Sequence, residues 1–369
     1  MTQKRERIFY LDAARALAVL LIVLNHAVNR TWDNFDLVAE EFAQIGAAST
    51  LLKAAVTVAS HYGVPLFLMI TGALILFRPF DTWEQMKRFF RRNWLPLFLS
   101  TEIWFFLGYW FNVFFNPELQ PMAEQGIGGL LWGCVKTLLF MDQVRFSSMW
   151  YLPMIVSIYL MLPGLAYLIH HLPEPRYLLI PLGGVFLCDM VMPTLNSWLG
   201  VFGQEPIHFY LYDFNFISAY LIFACLGYWI DRGGLRKLSG AAVAAAGVLS
   251  FLLAAALQFF AYSRSTYLLG YMSPLILLHA VCLFEGLRRW GERLRFLDKP
   301  ITALSSAAFG IYLLHIYFNM IFHWYMDFSA WPHLAKLLFL EFVPIAGSLL
   351  IIWPLSRLPR VRRLLFLMK

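Results

Sequence analysis

Four polar side chains interrupt the first long apolar segment of the chain, residues 9–28: Asp12, Arg15, Asn25 and His26. About 20 apolar residues can cross a bilayer core of about 30 Å, and ionisable groups inside such a segment usually mark function because they are costly there. Arg15 and His26 are eleven residues apart, which is about 16 Å along a helix and within about 20° of one face. We predict a polar stripe in which His26 is the reactive base, because an imidazole titrates near neutral pH.

Both residues also have plain structural interpretations. Asp12 and Arg15 have the i, i+3 spacing of a helical ion pair. The pair is either a structural ion pair near one membrane interface, or it positions the Arg15 guanidinium to bind a phosphate or a thioester. His26 is either a catalytic base or a hydrogen-bonding partner of a neighbouring helix. The cost of charge in lipid favours the functional interpretation of both residues.

The composition predicts an integral membrane protein. Of the 369 residues, 60% are hydrophobic and 14% are charged, whereas soluble domains have roughly 45–50% and about 25%. The first segment is too long for a cleaved signal peptide, and no small-residue cleavage site follows it. The net charge of +7 resides in short basic loops, as membrane topology requires, so we predict no nucleic-acid partner. The four cysteines have neither metal-ligand nor disulfide spacing, and we predict no metal.

Long apolar segments predict an all-α bundle of about ten transmembrane helices. We expect one domain, residues 1–369, without a soluble domain. The predicted segments are roughly 9–28, 56–77, 93–113, 149–169, 177–194, 213–230, 240–261, 268–287, 303–325 and 335–355. A shorter stretch, 127–141, carries Lys136, and we expect it to be interfacial or re-entrant.

Basic residues at both ends of the chain predict its orientation. Lys4, Arg5 and Arg7 precede the first segment, and residues 357–369 contain five Lys or Arg. Because cytoplasmic loops carry an excess of Lys and Arg, both termini should be cytoplasmic, which requires an even number of spans. A spanning 127–141 would place two further basic loops outside. This topology puts Arg15 in the cytoplasmic half of the first helix and His26 in the outer half.

A basic cluster lies between the second and third predicted helices. It contains Arg88, Arg91 and Arg92. The plain interpretation is a topology signal. The alternative is a cytoplasmic phosphate-binding patch, because the guanidinium fork matches phosphate oxygens.

Aromatic and histidine side chains recur near the predicted outer face. Trp150 and Tyr151 open one helix, and His61 stands near the predicted level of His26. An aromatic belt is expected at this depth, but the same side chains could bind a sugar. Tyr312 and His315 follow a small-residue run in the ninth predicted helix, where packing and site roles both fit.

Four segments, taken together, resemble the membrane acyltransferase-3 family. The most specific is RALAVLLIVLNH, an Arg followed by ten residues and a His, here Arg15 and His26. The others are VPLFLMITGAL, WYLPMIVSIYLMLP and SSAAFGIYLLH, which occur in the family's order. The chain looks most similar to the bacterial branch that O-acetylates cell-envelope polysaccharides, including the enterobacterial common antigen O-acetyltransferases.

The resemblance implies transfer of an acetyl group from cytoplasmic acetyl-CoA to a hydroxyl of an envelope glycan or lipid-linked sugar, in the bacterial inner membrane. It implies that His26 and Arg15 are catalytic, with His26 a general base or a transient acyl carrier. We expect Arg88, Arg91, Arg92, Tyr312 and His315 to bind the donor, and Trp150, Tyr151 and His61 to bind the acceptor. The competing class is a transporter or flippase, which would also keep polar residues in the membrane. No paired broken helices or inverted repeats favour that alternative.

Overall fold

The computed structural model describes residues 8–32, 39–117, 126–141, 149–207, 219–264 and 268–368, and this part of the chain contains helices and no strands. The helices are α1 (Phe9–Thr31), α2 (Ala39–Ser60), α3 (Gly63–Ile75), α4 (Trp83–Phe89), α5 (Leu95–Phe115), α6 (Gly126–Leu138), α7 (Tyr151–His171), α8 (Leu179–Phe186), α9 (Met192–Val201), α10 (Tyr220–Asp231), α11 (Gly240–Tyr262), α12 (Pro274–Trp290), α13 (Asp298–Tyr325), α14 (His333–Leu355) and α15 (Pro359–Leu365). Lys4, Arg5, Arg7 and Lys369, on which the predicted topology partly depends, lie outside the described residues.

The prediction of an all-α integral membrane protein is confirmed. Among the described residues, eight helical segments are long and apolar enough to cross a membrane. They are Phe9–Thr31, Ile45–Ile75, Trp83–Phe115, Tyr151–His171, Arg176–Val201, Gly240–Tyr262, Pro274–Tyr325 and His333–Leu355, and Tyr220–Asp231 is a shorter apolar helix. The segment Pro274–Tyr325 contains both α12 and α13, which correspond to two of the predicted spans. The number of crossings and the side of the termini stay predictions.

Helix α6 covers most of the stretch that we expected to be interfacial or re-entrant. Its 13 residues amount to about 20 Å of helix, which is less than the bilayer core of about 30 Å. The Tyr109 hydroxyl of α5 donates a hydrogen bond to the Leu130 carbonyl of α6 over 2.7 Å. The interfacial or re-entrant placement of this stretch stays a prediction.

The chain divides into two compact units. Unit 1 consists of Met1–Pro79, Gly164–Ala308 and Pro332–Glu341, and unit 2 consists of Phe80–Pro163, Phe309–Trp331 and Phe342–Lys369. Helix α13 contributes its first part to unit 1 and the rest to unit 2.

In unit 1, glycines bring α3 and α10 into backbone contact. A Cβ at Gly72 would lie 1.8 Å from the Ala224 carbonyl oxygen, and a Cβ at Gly227 would lie 2.1 Å from the Met69 carbonyl oxygen. Small residues allow this approach, which is how helices gain dispersion contacts where lipid removes the usual hydrophobic driving force. The segment that contains VPLFLMITGAL thus packs closely through its glycine.

Helices α2 and α3 are separated by a break at His61 and Tyr62. Immediately after the break, Gly63 packs against α1. A Cβ there would lie 2.8 Å from the Ala18 carbonyl oxygen and 2.7 Å from Cγ1 of Ile22. The break therefore lies alongside the middle of α1, between the levels of Arg15 and His26.

In unit 2, α5 holds the C-terminal helix. The Trp104 indole N–H and the Ser100 hydroxyl both donate to the Leu365 carbonyl, over 2.9 and 3.2 Å. Gly347 lies against the Phe318 ring, where a Cβ would come within 2.5 Å. These contacts join α5 to α15 and α13 to α14 within unit 2.

Candidate active site

Arg15 lies in a closed ring of three hydrogen bonds within unit 1. Its Nη1 donates to Asp12 Oδ1 over 2.9 Å and to Ser305 Oγ over 2.8 Å. The Ser305 hydroxyl in turn donates to Asp12 Oδ1 over 2.7 Å. The i, i+3 spacing on α1 supplies the ion pair, and α13 supplies the hydroxyl. An intramembrane guanidinium therefore has both charge compensation and defined hydrogen bonds.

Burial differs among the three members of this ring. Asp12 and Ser305 are each 4% exposed, whereas the Arg15 side chain is 28% exposed. A buried carboxylate is stable only when it is paired and hydrogen-bonded, and here Arg15 and Ser305 provide both. The Arg15 side chain is thus partly accessible, whereas Asp12 and Ser305 are enclosed.

His26 lies on the same stripe of α1 as Arg15, as predicted, because the helix is continuous from Phe9 to Thr31. It is half-buried. The two residues between it and Arg15 on that face, Val19 and Ile22, are buried. The stripe is therefore polar at both ends and packed in its centre.

The outer half of α1 is fixed to the helix break through Asn25. The Asn25 side-chain N–H donates to Ser60 Oγ over 3.0 Å, and the Ser60 hydroxyl donates to the Thr57 carbonyl over 2.7 Å. His61 Nδ1 lies 2.7 Å from the same carbonyl. Since a carbonyl only accepts, Nδ1 carries the proton and Nε2 carries the lone pair of neutral His61.

His61 is buried and its ring contacts that of Tyr271, with centroids 4.7 Å apart. This burial argues against a role as an anchor at the membrane interface, because such anchors present a polar tip to water. The predicted contact with an acceptor stays a prediction.

In unit 2, the structure brings together three of the predicted site residues. The Tyr151 and Tyr312 rings meet edge to face at 5.6 Å, and the Tyr312 and His315 rings are 6.1 Å apart. All three are buried, and His315 Nδ1 lies 2.9 Å from the Ile311 carbonyl. Trp150 is half-buried and its ring lies 6.3 Å from that of Tyr151.

The predicted phosphate cluster is helical rather than a loop. Arg88 lies on α4, and Arg91 and Arg92 lie on the π-helical turn Phe90–Trp94 that joins α4 to α5. All three side chains are exposed, in unit 2. Within the described residues, none of them forms an ion pair, whereas their neighbour Lys87 pairs with Glu84 over 2.5 Å.

The sequence predicts only a packing role for Ser305 and no role for Ser60. Ser305 and Ser60 lie in small-residue runs, where packing is the usual explanation. Only the position of each hydroxyl opposite α1 reveals the hydrogen bond. No group of three His, Cys, Asp or Glu that could hold a metal occurs in the described part of the chain.

The fold and this site define a polytopic membrane protein with a compensated Arg and a His on one transmembrane helix. A family model described as an acyltransferase domain matches residues 8–356, and the chain belongs to this family, acyltransferase-3. It is thus a membrane acyltransferase. Neither curated proteins nor solved structures gave a match to the chain.

Proposed function

We propose that this acyltransferase moves an acetyl group from cytoplasmic acetyl-CoA to a hydroxyl of a cell-envelope glycan or lipid-linked sugar. The observation that carries the proposal is the ring formed by Asp12, Arg15 and Ser305, together with His26 on the same stripe of α1. A structural ion pair would explain Asp12 and Arg15, but it would not explain a second ionisable group in line with them across the membrane.

The proposed chemistry needs one base and one donor to the carbonyl oxygen. His26 accepts the proton of the acceptor hydroxyl as its oxygen bonds to the acetyl carbon. The carbon–sulfur bond then breaks, and the proton passes from His26 to the departing sulfur, giving coenzyme A as the thiol. The oxyanion that forms on the carbonyl oxygen needs a fixed hydrogen-bond donor near His26. Arg15 is about 16 Å away along α1, and it is proposed to contact the arm of the donor on its way to His26.

The donor and the acceptor are proposed to approach from opposite sides. The exposed Arg88, Arg91 and Arg92 suit the phosphates of coenzyme A, because guanidinium groups bind phosphate in a bidentate manner. Tyr312 and His315 are proposed to contact the arm of the donor. Trp150, Tyr151 and His61 are proposed to contact the sugar, whose faces stack on aromatic rings.

The proposed location is the bacterial inner membrane, where membrane lipids surround the apolar helices. This location supplies acetyl-CoA on one side and envelope glycan on the other. It accords with the basic residues of the predicted cytoplasmic loops.

The test is acetyl transfer by purified protein carrying His26→Ala. With labelled acetyl-CoA, we expect wild-type protein to release coenzyme A and to label a glycan fraction, and the variant to lose at least about a hundredfold in rate, as expected for a general base. The matched control is His171→Ala, because His171 is exposed and its Nδ1 lies 2.8 Å from the Tyr167 carbonyl of its own helix.

Full activity of a well-folded His26→Ala protein would reject the catalytic role of His26. Solute flux into proteoliposomes without any acetyl transfer by the wild type would reject the enzyme in favour of a transporter. A labelled acetyl group that stays on wild-type protein, and not on His26→Ala, would indicate an acetyl-imidazole intermediate instead of direct transfer.

A further inference from the structure

Asn319, on α13 in unit 2, has a buried side-chain amide. It is 4% exposed, and neither its Nδ2 nor its Oδ1 has a hydrogen-bond partner among the described residues. Asn112 of α5 is as deeply buried, but its Nδ2 donates to the Gly108 carbonyl over 3.2 Å and its Oδ1 accepts from Asn116 over 3.3 Å. Because an unpaired buried amide costs free energy, we expect Asn319 to pair with a ligand.

The face of α13 that carries Asn319 also carries Tyr312 and His315. The three residues are spaced i, i+3 and i+7, which places them on one side of a helix. Tyr312 meets Tyr151 of α7 edge to face at 5.6 Å. Tyr312 and His315 are the residues proposed above to contact the arm of the donor. Asn319 follows His315 by about 6 Å, so the polar stripe continues past them along α13.

Contacts between α5 and α13 give the distance from Asn319 to the exposed arginines of the same unit. The Tyr317 hydroxyl lies 3.5 Å from the Trp104 carbonyl, and the Tyr317 ring meets that of Phe111 at 4.8 Å. Because Tyr317 contacts α5 between these two residues, Asn319 is level with a position about 17 residues after Arg92. That separation is about 25 Å along the helix.

Acetyl-CoA has one polar end at such a distance from its phosphates. Its arm contains about 13 bonds from the pyrophosphate to the sulfur, and an extended chain advances about 1.2 Å per bond, or about 15 Å in all. An arginine side chain and a hydrogen bond at each end supply the remainder. If the phosphates bind the exposed arginines, the thioester end of the arm is the part that reaches Asn319.

The thioester end also has the two groups that complement a carboxamide. Its carbonyl oxygen accepts a hydrogen bond, and the amide N–H that lies two carbons from the sulfur donates one. An asparagine side chain has both N–H donors and an accepting oxygen. We propose that Asn319 binds the thioester end of the acyl donor, with Nδ2 donating to the acyl carbonyl oxygen and Oδ1 accepting from this amide. The inference rests on the proposed function, since it needs a thioester substrate.

In this role Asn319 stabilises the oxyanion and transfers no proton. As the acceptor oxygen bonds to the acyl carbon, an electron pair of the carbonyl moves onto its oxygen, which the fixed N–H of Asn319 stabilises. When the carbonyl forms again, the carbon–sulfur bond breaks, and the sulfur leaves with the electron pair and takes up the proton of the acceptor hydroxyl. In the predicted topology, Asn319 lies in the outer half of its segment, as His26 does in the first segment.

The experiment compares Asn319→Leu with Asn112→Leu. Leucine has the same branching at Cγ and no hydrogen-bonding group, and the control removes an equally buried amide that is already paired. For each variant we would measure kcat for release of coenzyme A from acetyl-CoA and the thermal midpoint without ligand. Calorimetry would give the Kd of adenosine 3′,5′-bisphosphate, which has phosphates but lacks the arm.

We expect Asn319→Leu to lower kcat at least about a hundredfold, the usual effect of removing an oxyanion donor, with an unchanged Kd for adenosine 3′,5′-bisphosphate. Its thermal midpoint should equal or exceed that of wild type, because replacing an unpaired buried polar group by an apolar one is neutral or stabilising. Asn112→Leu should retain the wild-type kcat and have a lower midpoint, because it removes paired groups.

Three results would overturn the inference while leaving the enzyme intact. A wild-type kcat in Asn319→Leu would show that the amide does not contact the reacting carbonyl. A weaker Kd for adenosine 3′,5′-bisphosphate would place Asn319 at the phosphates. A midpoint as low as that of Asn112→Leu would show that the Asn319 amide is paired within the protein. If the wild type releases no coenzyme A, the proposed function fails instead.

Asn319→Ala provides a second test if Asn319→Leu fails to fold. This change removes the amide without adding volume. We expect the same loss of kcat and the same unchanged Kd for adenosine 3′,5′-bisphosphate. A wild-type kcat in the alanine variant would overturn the inference.

Discussion

Two groups of arginines on the predicted cytoplasmic side have the same appearance in the sequence and opposite environments in the structure. Arg288 and Arg289, at the end of α12, both bind the buried Glu285. Arg289 also donates to the carbonyls of Leu235 and Leu238, over 2.6 and 2.9 Å. The second group, Arg88, Arg91 and Arg92, is exposed and forms no ion pair within the described residues.

This difference distinguishes positive charges that stabilise the fold from positive charges that are available to a ligand. Arg288 uses Nε and Nη2 on the two oxygens of Glu285, at 2.7 and 2.9 Å, so its fork is already bidentate. A ligand phosphate would have to displace a buried carboxylate there. Within the described residues the exposed group has no such competitor, which supports the proposal that the donor phosphates bind there.

The largest predicted effect concerns Glu285, the buried carboxylate that binds Arg288 and Arg289. Glu285→Ala should lower the thermal midpoint of the protein in detergent by about 5 °C or more, because breaking a buried ion pair costs about 3 kcal/mol or more. Scanning fluorimetry would measure the shift. The control is Glu292→Ala, since Glu292 and its partner Arg295 are both largely exposed and such pairs contribute little.

An unchanged midpoint in Glu285→Ala would contradict the structural role of Arg288 and Arg289. The contrast between the two arginine groups would then be lost, because Arg288 and Arg289 would be as available to a ligand as the exposed group.

The second prediction concerns the exposed group. Arg91→Ala should weaken binding of acetyl-CoA about tenfold or more, the loss of a charge-assisted hydrogen bond, without a change in thermal midpoint. Calorimetry on purified protein would measure the affinity, with Lys87→Ala as control because Lys87 is already paired with Glu84. Equal affinities for wild type, Arg91→Ala and Arg88→Ala would exclude this group as the phosphate site.

A conservative replacement should have a smaller effect. Arg91→Lys keeps the positive charge but loses the planar fork, so we expect acetyl-CoA affinity to fall about threefold to fivefold. The same titration measures it. A loss as large as that of Arg91→Ala would mean that geometry dominates binding, and no loss would mean that the site recognises charge alone.

The sequence predicts the helical segments well, since each predicted segment has a helical counterpart among the described residues. The first part of the predicted segment 213–230, residues 213–218, lies outside the described residues. The largest difference is in the second segment, predicted from 56 but apolar and helical from Ile45. Its first part contains Thr50 and Lys53, whose polar side chains lower the hydropathy and argue against a membrane span. Both are buried, and the Lys53 ammonium lies 4.9 Å from the centre of the Tyr262 ring. Hydropathy describes contact with lipid and does not register polar groups enclosed by protein.

The site is predictable where its residues share one helix. Asp12, Arg15 and His26 follow from spacing on α1 alone, because helical geometry fixes their relative positions. Ser305 is separated from Arg15 by 290 residues, and its contact depends on packing that no local pattern encodes. For the same reason, the sequence does not distinguish Arg288 from Arg88, because only tertiary contact with Glu285 does so.

The smallest expected effect is that of salt, and it tests the same comparison without a mutation. Raising the ionic strength from about 0.1 to about 0.3 M should weaken acetyl-CoA binding about twofold to threefold, because interactions of exposed charges are screened over a shorter distance. The thermal midpoint should change little, because the buried oxygens of Glu285 are screened much less. Arg91→Ala should have a shallower salt dependence than wild type, since it has one cation fewer at the site. If the affinity for acetyl-CoA is independent of salt, the phosphates bind buried groups. If the thermal midpoint falls with salt, the ion pairs of Glu285 are in contact with solvent.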